Sequence, residues 1–301
     1  MSLIALLLAF LIEHGLTDAL RLREPRWLDH YCDWAGRRLA GLGGPTLIIL
    51  VTLFVLLPVV PVAVAYDLIG SHLLGLLQLA FAVLVLLVSY GPRDLQDEVD
   101  DYLDALSRGD RAEAERLAKE LLESDAAGRG AGLREAVEQA IFVQANNRIF
   151  GVVFWFMVAG PAGAWLFRVS DLMRRRAVFE AVRQGTPAAE RRFGAALDFV
   201  HGLLAWIPAR LAAVGYALAG SFEDAVGNWR AAVGEVEHGL LGRSEELLAR
   251  VGKGSLQPSL ADAAPDALES AAAGGAWRIV SRTIWIWLAV IALLVLAGSV
   301  A

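Results

Sequence analysis

Apolar residues in this chain fall in blocks. Residues 44–90 carry one charged side chain, Asp67, and divide into two runs, about Pro45–Tyr66 and Leu68–Tyr90. A run of roughly 20 apolar residues without polar periodicity is what a helix needs to cross a bilayer. Pro58 and Pro61 predict a kink in the first run, because proline removes a backbone donor and clashes with the preceding turn. Tyr66, Tyr90 and the Gly91-Pro92 break stand where interfacial anchors and helix ends belong. A third apolar segment, Ile149–Phe167, contains Gly160-Pro161. A broken helix survives in lipid only where protein or a cavity satisfies its backbone, so this segment predicts a kinked span or a re-entrant pair of half-helices. A fourth, His201–Gly220, is interrupted by Pro208 and Arg210. The last, Thr283–Val300, follows Arg278 and Arg282 and carries Trp277, Trp285 and Trp287 as a belt. Leu3–Ile12 is too short to span and lacks a basic start and a cleavage site, so it is expected to stay as a packed helix.

The charged stretch between the second and third segments has a different rhythm. Leu95, Val99, Tyr102, Leu103 and Leu106 recur at helical spacing. Arg108-Gly109-Asp110 is a turn, and Asp110 with Glu113 makes a capping-box-like start. Leu117, Leu121 and Leu122 line a second helix, closed by Gly128, Gly130 and Gly132, and a third begins near Leu133. The pattern predicts an all-α, polytopic helical membrane protein with broken or re-entrant helices and a water-exposed helical insert. The expected divisions are 1–43, an apolar helix and basic segment; 44–90, a membrane hairpin; 91–147, the acidic insert; and 148–220, broken membrane helices with an arginine-rich connection. Polar helices and a linker at about Gly254–Gly275 fill 221–281, and 282–301 is a final membrane helix.

Composition agrees: 56% of residues are hydrophobic and the mean hydropathy is +0.51. The net charge of −6 hides an asymmetry, with acids between Asp94 and Glu138 and arginines in 21–38 and 168–192. The positive-inside rule places both basic stretches in the cytoplasm, which requires the third segment to return to the side it came from. No basic patch with interleaved aromatics exists, which sets nucleic acid aside as a partner. Cys32 is the one cysteine and cannot form an internal disulfide.

Candidate chemistry is sparse. Arg210 sits inside an apolar segment, where a cation costs roughly 2.5–3.5 kcal/mol and usually has a function or a partner. It is expected to face a cavity and meet an anion, with Trp206 one turn earlier able to stack on it. Asp198 and Glu138 are available counter-charges. Glu135, Gln139 and Asn146 fall within one arc of a helix, flanked by Glu138, Asn147 and Arg148, and predict a polar wall leading into a site between helices. The histidines show no ligand spacing, no metal site is expected, and no motif of catalysis stands on its own.

Phe154-Trp155, Gly160-Pro161 and Phe167-Arg168 resemble the AmpE family of bacterial inner-membrane proteins. So do Trp206-Ile207-Pro208-Ala209-Arg210-Leu211, the following Gly215–Gly220, and the early Trp27-Leu28-Asp29-His30. The resemblance covers most of the chain and implies a multi-pass inner-membrane modulator tied to β-lactamase induction and cell-wall stress. Its implied partners are the lipid bilayer and a cell-wall-derived or other anionic small molecule, bound without turnover. Arg168 enters the candidate site on this resemblance. The AmpE family is in turn distantly similar to the CobD/CbiB cobalamin-biosynthesis family. That likeness implies a second reading, ATP-dependent amide formation on a corrinoid carboxylate. This sequence keeps Glu138, Asn146, Asn147 and Arg210 but has Ala205 where those relatives place Asn or Asp, which argues against the activity. A third reading is a small-anion transporter, suggested by broken helices beside a buried arginine.

Overall fold

The computed structural model describes residues 5–9, 26–39, 41–72, 75–90, 95–122, 131–184, 188–234, 239–260 and 267–298, and contains no strand among them. Helix α1 is Arg26–Leu39. Helix α2, Gly44–Leu56, passes through a 3-10 turn at Leu57–Val59 into α3, Val60–His72, so the expected kink falls at Pro58. Helices α4 (Gly75–Tyr90), α5 (Leu95–Ser107), α6 (Arg111–Leu122) and α7 (Ala131–Ala145) follow. A π turn at Asn146–Phe150 joins α7 to α8, Gly151–Gln184. Helices α9 (Ala188–Ala219), α10 (Phe222–Gly234), α11 (Leu240–Leu260) and α12 (Leu268–Leu296) complete the fold. Five stretches, within Gly44–Gly70, Gly75–Ser107, Gly132–Glu180, Arg191–Ala219 and Leu268–Leu296, are long and apolar enough to cross a membrane. The chain is an all-α polytopic membrane protein.

The decisive local feature lies inside α8. Ala159 (φ −133°, ψ 19°) and Gly160 (φ 62°, ψ −154°) leave the helical region. The Gly160 conformation is open essentially to glycine alone. Pro161 then starts the second half at the position where its missing N–H is harmless. The two halves fold back on each other. A Cβ at Gly163 would collide with the Trp155 carbonyl, and one at Gly151 with the Phe167 ring. In an unbroken helix Gly151 and Phe167 would lie roughly 24 Å apart at 1.5 Å per residue. Further out, Arg175 Nη2 donates to Gln144 Oε1 at 3.0 Å, so the antiparallel pairing continues into α7. A small cavity lined by Tyr66, Gly75, Gln78, Phe156, Gly160 and Pro161 places the fold-back at the far end of the α3–α4 pair. The third apolar segment is therefore a deep hairpin, and the arginines on its returning arm come back to the side of the insert.

Helix α9 crosses this hairpin. The Trp155 indole donates to Leu204 O at 3.0 Å, His201 Nδ1 meets Ser170 Oγ at 2.9 Å, and Tyr216 donates to Phe142 O at 2.8 Å. Near its start Arg192 packs at Gly43, and at its end Arg282 donates to Ala219 O at 3.4 Å. Both ends of α9 thus lie on the insert side, although its length and apolarity suit a crossing. The cause is its small-residue face: Gly202, Ala205, Ala209, Ala212 and Ala213 are buried against the hairpin and α11.

The insert is a helical layer. Helices α5, α6 and α7 bury Val99, Tyr102, Leu117, Leu121 and Ile141 together with Val251 of α11 and Ala276 of α12. Asp110 Oδ1 accepts from Glu113 N at 3.1 Å, the cap its spacing predicts. Residues 5–9 are helical, with Ala5, Leu6 and Ala9 buried. The expected linker at Gly254–Gly275 is a correction. Gly254–Leu260 continue α11, and Leu268 onward belongs to α12, far earlier than the expected start at Thr283. Alanine has the best helix propensity, and Ala272, Ala273 and Ala276 are buried, which converts a linker-like composition into a packed helix. The Gly91-Pro92 break and Gly128–Gly130 lie outside the described residues.

Helix α1 docks on the returning arm through Asp33, which accepts from Arg176 at 2.9 and 3.0 Å. Cys32 beside it is buried and donates to Met173 O at 3.5 Å. Burial, with help from nearby Asp33, pushes its thiol up to about 12. The thiolate is the reactive species, so Cys32 is expected not to label with Ellman's reagent at pH 7.5 until the protein is unfolded; rapid labelling of the folded protein would contradict this packing. Gly160→Ala is expected to cost about 1–3 kcal/mol, read as a lower melting temperature in detergent. An unchanged melting temperature would argue against the fold-back.

Candidate functional site

The returning arm of α8 carries Arg168, Asp171, Arg174 and Arg175 on one face, at helical offsets of three, six and seven. All three guanidiniums meet one carboxylate. Arg168 Nη1 lies 3.3 Å from Asp171 Oδ2, Arg174 Nη2 3.1 Å from Oδ1, and Arg175 Nε 2.8 Å from Oδ2. Asp171 is fully buried and Arg168 is 3% exposed. A lone buried cation is costly, and a carboxylate that shares its charge among three offsets that cost in part.

His201 and Ser170 close the inner side. The Ser170 hydroxyl donates to Phe167 O at 2.7 Å, so it accepts from His201 Nδ1, which assigns that proton. His201 Nε2 is 4.0 Å from Asp171 Oδ1. Serine, histidine and aspartate are neighbours here without forming a nucleophilic triad. The serine proton is committed to a carbonyl, the histidine–aspartate contact is long, and all three side chains are buried.

On the outer side of the arginines lies a cleft of about 960 Å³ between α7, α8 and α11. Gln139, Gln144, Asn147, Arg174 and Arg175 supply its polar wall, and Val143, Val178 and Phe179 its apolar surface. Glu120, Glu245 and Glu246 also border it. Arg175 is held at both ends, by Asp171 and by Gln144. Arg174 is held by Asp171 and reaches Glu245 only at 3.9 Å. Asn147 is 2% exposed, and its Nδ2 has no hydrogen-bond partner among the described residues. It belongs to the π turn, a distortion that recurs at functional sites. Fixed guanidiniums and a free amide donor make a site for an anion, with apolar walls for a carbon skeleton.

The expected residues distribute unevenly. Gln139 and Asn147 line the cleft. Arg168 stands behind it, against Asp171. Glu135 points away and pairs with Lys253. Glu138 is buried, with Oε1 lacking a hydrogen-bond partner among the described residues, and is not part of the wall. Asn146 is buried and donates to Asn147 Oδ1 at 3.3 Å. Asn147 follows Ala140, Val143 and Gln144 at ordinary helical spacing, so it, and not Asn146, continues the face that lines the cleft. Asp198 does not line the cleft and makes no ion pair with Arg174 among the described residues.

Arg210 is a correction. Among the described residues it makes no hydrogen bond or ion pair with Glu138, Asn146 or Asn147, and it lines neither the cleft nor the cavity at the fold-back. Its Cζ stacks 4.0 Å from the Trp206 ring centroid, and its Nη1 donates to Trp206 O at 2.8 Å. Leu203, Trp206, Ile207, Leu211 and Val214 around it are all exposed. The stacking was legible in the i−4 spacing. The direction was not, because the helix face that packs inward is the one bearing small residues. Asp171, Arg174, Arg175, Gln144 and His201 escaped the sequence reading. Their signal was an acid at i+3 from Arg168, in line with Arg174 and Arg175, immediately past an apolar segment.

A family model described as regulatory signalling modulator protein AmpE matches residues 1–301. Among curated proteins, the chain is 33% identical over 149 residues to the cobalamin biosynthesis protein CobD of Stutzerimonas stutzeri. That match covers 49% of this chain and 47% of the relative, so it spans about half the relative's length. A second cobalamin biosynthesis protein CobD, from Chromobacterium violaceum, is 27% identical over 241 residues, 75% of each chain. No solved structure matches.

Asp171→Asn removes the carboxylate that, among the described residues, all three arginines share. It is expected to destabilise by about 3–5 kcal/mol, the effect of breaking a buried ion pair from one side. The measurement is thermal unfolding in detergent, and a shift of under a degree would mean the arginines are neutralised elsewhere.

Proposed function

Because this chain belongs to the AmpE family of regulatory signalling modulators, we propose that it is an inner-membrane modulator that binds a small anionic ligand in the α7–α8–α11 cleft without turning it over. The ligand is a cell-wall-derived fragment or an anion of similar chemistry, and the output is a change in β-lactamase induction and cell-wall stress response. The observation that carries this reading is the pair Arg174 and Arg175, fixed from behind by Asp171 on the wall of a cleft of ligand size. Cations held in place before the ligand arrives lose little freedom on binding. The walls belong to separate elements, insert helix α7, hairpin α8 and α11. An anion that displaces the long Arg174–Glu245 contact favours whichever arrangement of those elements holds it better.

The CobD relatives favour a second reading, an amide-forming enzyme of cobalamin biosynthesis. Two features weigh against it. The Trp206–Leu211 segment that carries the resemblance turns its tryptophan and arginine outward, and Ala205, 1% exposed, leaves no polar group beneath them.

Arg175→Gln is expected to weaken binding of muramyl-peptide fragments to the purified full chain about 10–100-fold, the worth of one charge-assisted contact. Isothermal titration measures this, and induction of β-lactamase in the variant strain is expected to follow the deletion phenotype. A deletion that leaves induction, muropeptide profile and envelope stress unchanged would remove the proposal's support. Rescue of a corrinoid auxotroph by the chain would establish the second reading instead.

A further inference from the structure

The cleft is not simply basic. Among the described residues, Arg174 and Arg175 line it together with three carboxylates, Glu120, Glu245 and Glu246. Asp171 already meets both arginines from behind. Glu120 pairs with Arg116 and Glu246 with Arg250, in each case an arginine one turn away on the same helix. Glu245 is placed differently. It reaches from α11 toward Arg174 on α8, with Oε1 3.9 Å from Nη1, longer than a hydrogen bond. A ligand that carried only negative charge would meet the guanidiniums with this carboxylate beside them, and like charges brought together cost binding.

A guanidinium and a carboxylate side by side form half of a square of charge. The other half is a carboxylate and an ammonium that are themselves neighbours, as on one carbon of an amino acid. Against this pair the ligand carboxylate rests on Arg174 and Arg175 and its ammonium on Glu245, so every charge has an opposite charge next to it. A second, independent feature points to an occupant. Asn147 lines the cleft and is 2% exposed, and its Nδ2 has no hydrogen-bond partner among the described residues. It stands one turn past Gln144, which Arg175 holds, so the free amide donor and the guanidinium border the same part of the wall. The cleft, at about 960 Å³, is much larger than one amino acid head group, and Val143, Val178 and Phe179 offer apolar surface to the remainder of a longer molecule.

We propose that the ligand of the cleft is a peptide with a free α-amino acid head group, ammonium and carboxylate on one carbon, and that Glu245 selects for the ammonium. This rests on the anion-binding reading of the cleft and adds a second charge to its ligand. Arg174 and Arg175 hold the carboxylate, Asn147 donates to it, and Glu245 accepts from the ammonium.

The test is isothermal titration of the purified full chain in detergent with two probes. One is muramyl tripeptide ending in meso-diaminopimelate, whose side-chain end is such a head group. The other is the same peptide acetylated on that amine. The wild type is expected to bind the free-amine peptide about tenfold more tightly than the acetylated one, the worth of one charge-assisted contact. Glu245→Gln is expected to move the two in opposite directions. Binding of the free-amine peptide weakens about tenfold, and binding of the acetylated peptide tightens severalfold because the neighbouring negative charge is gone. A side chain that only supports the wall would weaken both, and that result would overturn the role given to Glu245. The comparison of the two peptides on the wild type needs no variant, so it decides the matter even if Glu245→Gln folds poorly. Equal binding of both peptides by the wild type, with Arg175→Gln weakening both, would overturn this inference and leave the anion site standing. Binding of neither peptide to the wild type would remove both.

Discussion

One carboxylate organises the centre of this protein. Asp171 is the point on which Arg168, Arg174 and Arg175 converge, and without it three guanidiniums would return from a membrane hairpin with no shared counter-charge. The arrangement divides labour by depth. Arg168 is wholly inside, Arg174 and Arg175 face the cleft, and the same anion holds all three. The positions of the cleft cations are set within the fold itself.

That convergence depends on the chain turning back at Gly160. A helix that continued past this point would carry the arginines to the other side of the membrane, away from Gln144 and Asn147. The fold-back spends its strain on the one residue type that can adopt φ 62° with ψ −154°, and the glycines at 151 and 163 let the two arms approach without side chains between them. Backbone geometry, close helix packing and placement of the charged wall are thus one event. Helix α9 lies across the hairpin for a related reason. Its inward alanines and Gly202 allow close contact with two neighbours at once, and contact wins over the crossing that its length permits.

Much of the fold was legible. Apolar block lengths gave the membrane segments, Gly160-Pro161 gave the break, and arginine bias gave the side to which the third segment returns. The Asp110 cap and the Arg210–Trp206 stack followed from spacing alone. What was not legible depends on three-dimensional register. The cleft takes the helix face of Ala140, Val143 and Gln144, so Gln139 reaches it with Asn147 and not with Asn146. Composition suggested a linker at Gly254–Gly275, but small residues there serve tight packing of α11 and α12. Arg210 was read as buried because its segment is apolar. The segment's polarity does not say which side of a helix touches protein, and here the alanines do. Asp171 was hidden by its arginines, which read as a basic connection when each was counted singly.

The antiparallel return of the hairpin has a consequence for how such a molecule can be addressed. Among the described residues, the ion pairs, the cleft and every amphipathic helix project from one surface, while the opposite surface holds the fold-back at Gly160 and the junction of α3 with α4. A reagent confined to the surface that carries the cleft would meet the arginines of the returning arm, whereas one confined to the opposite surface would meet only the turn of the hairpin and the α3–α4 junction.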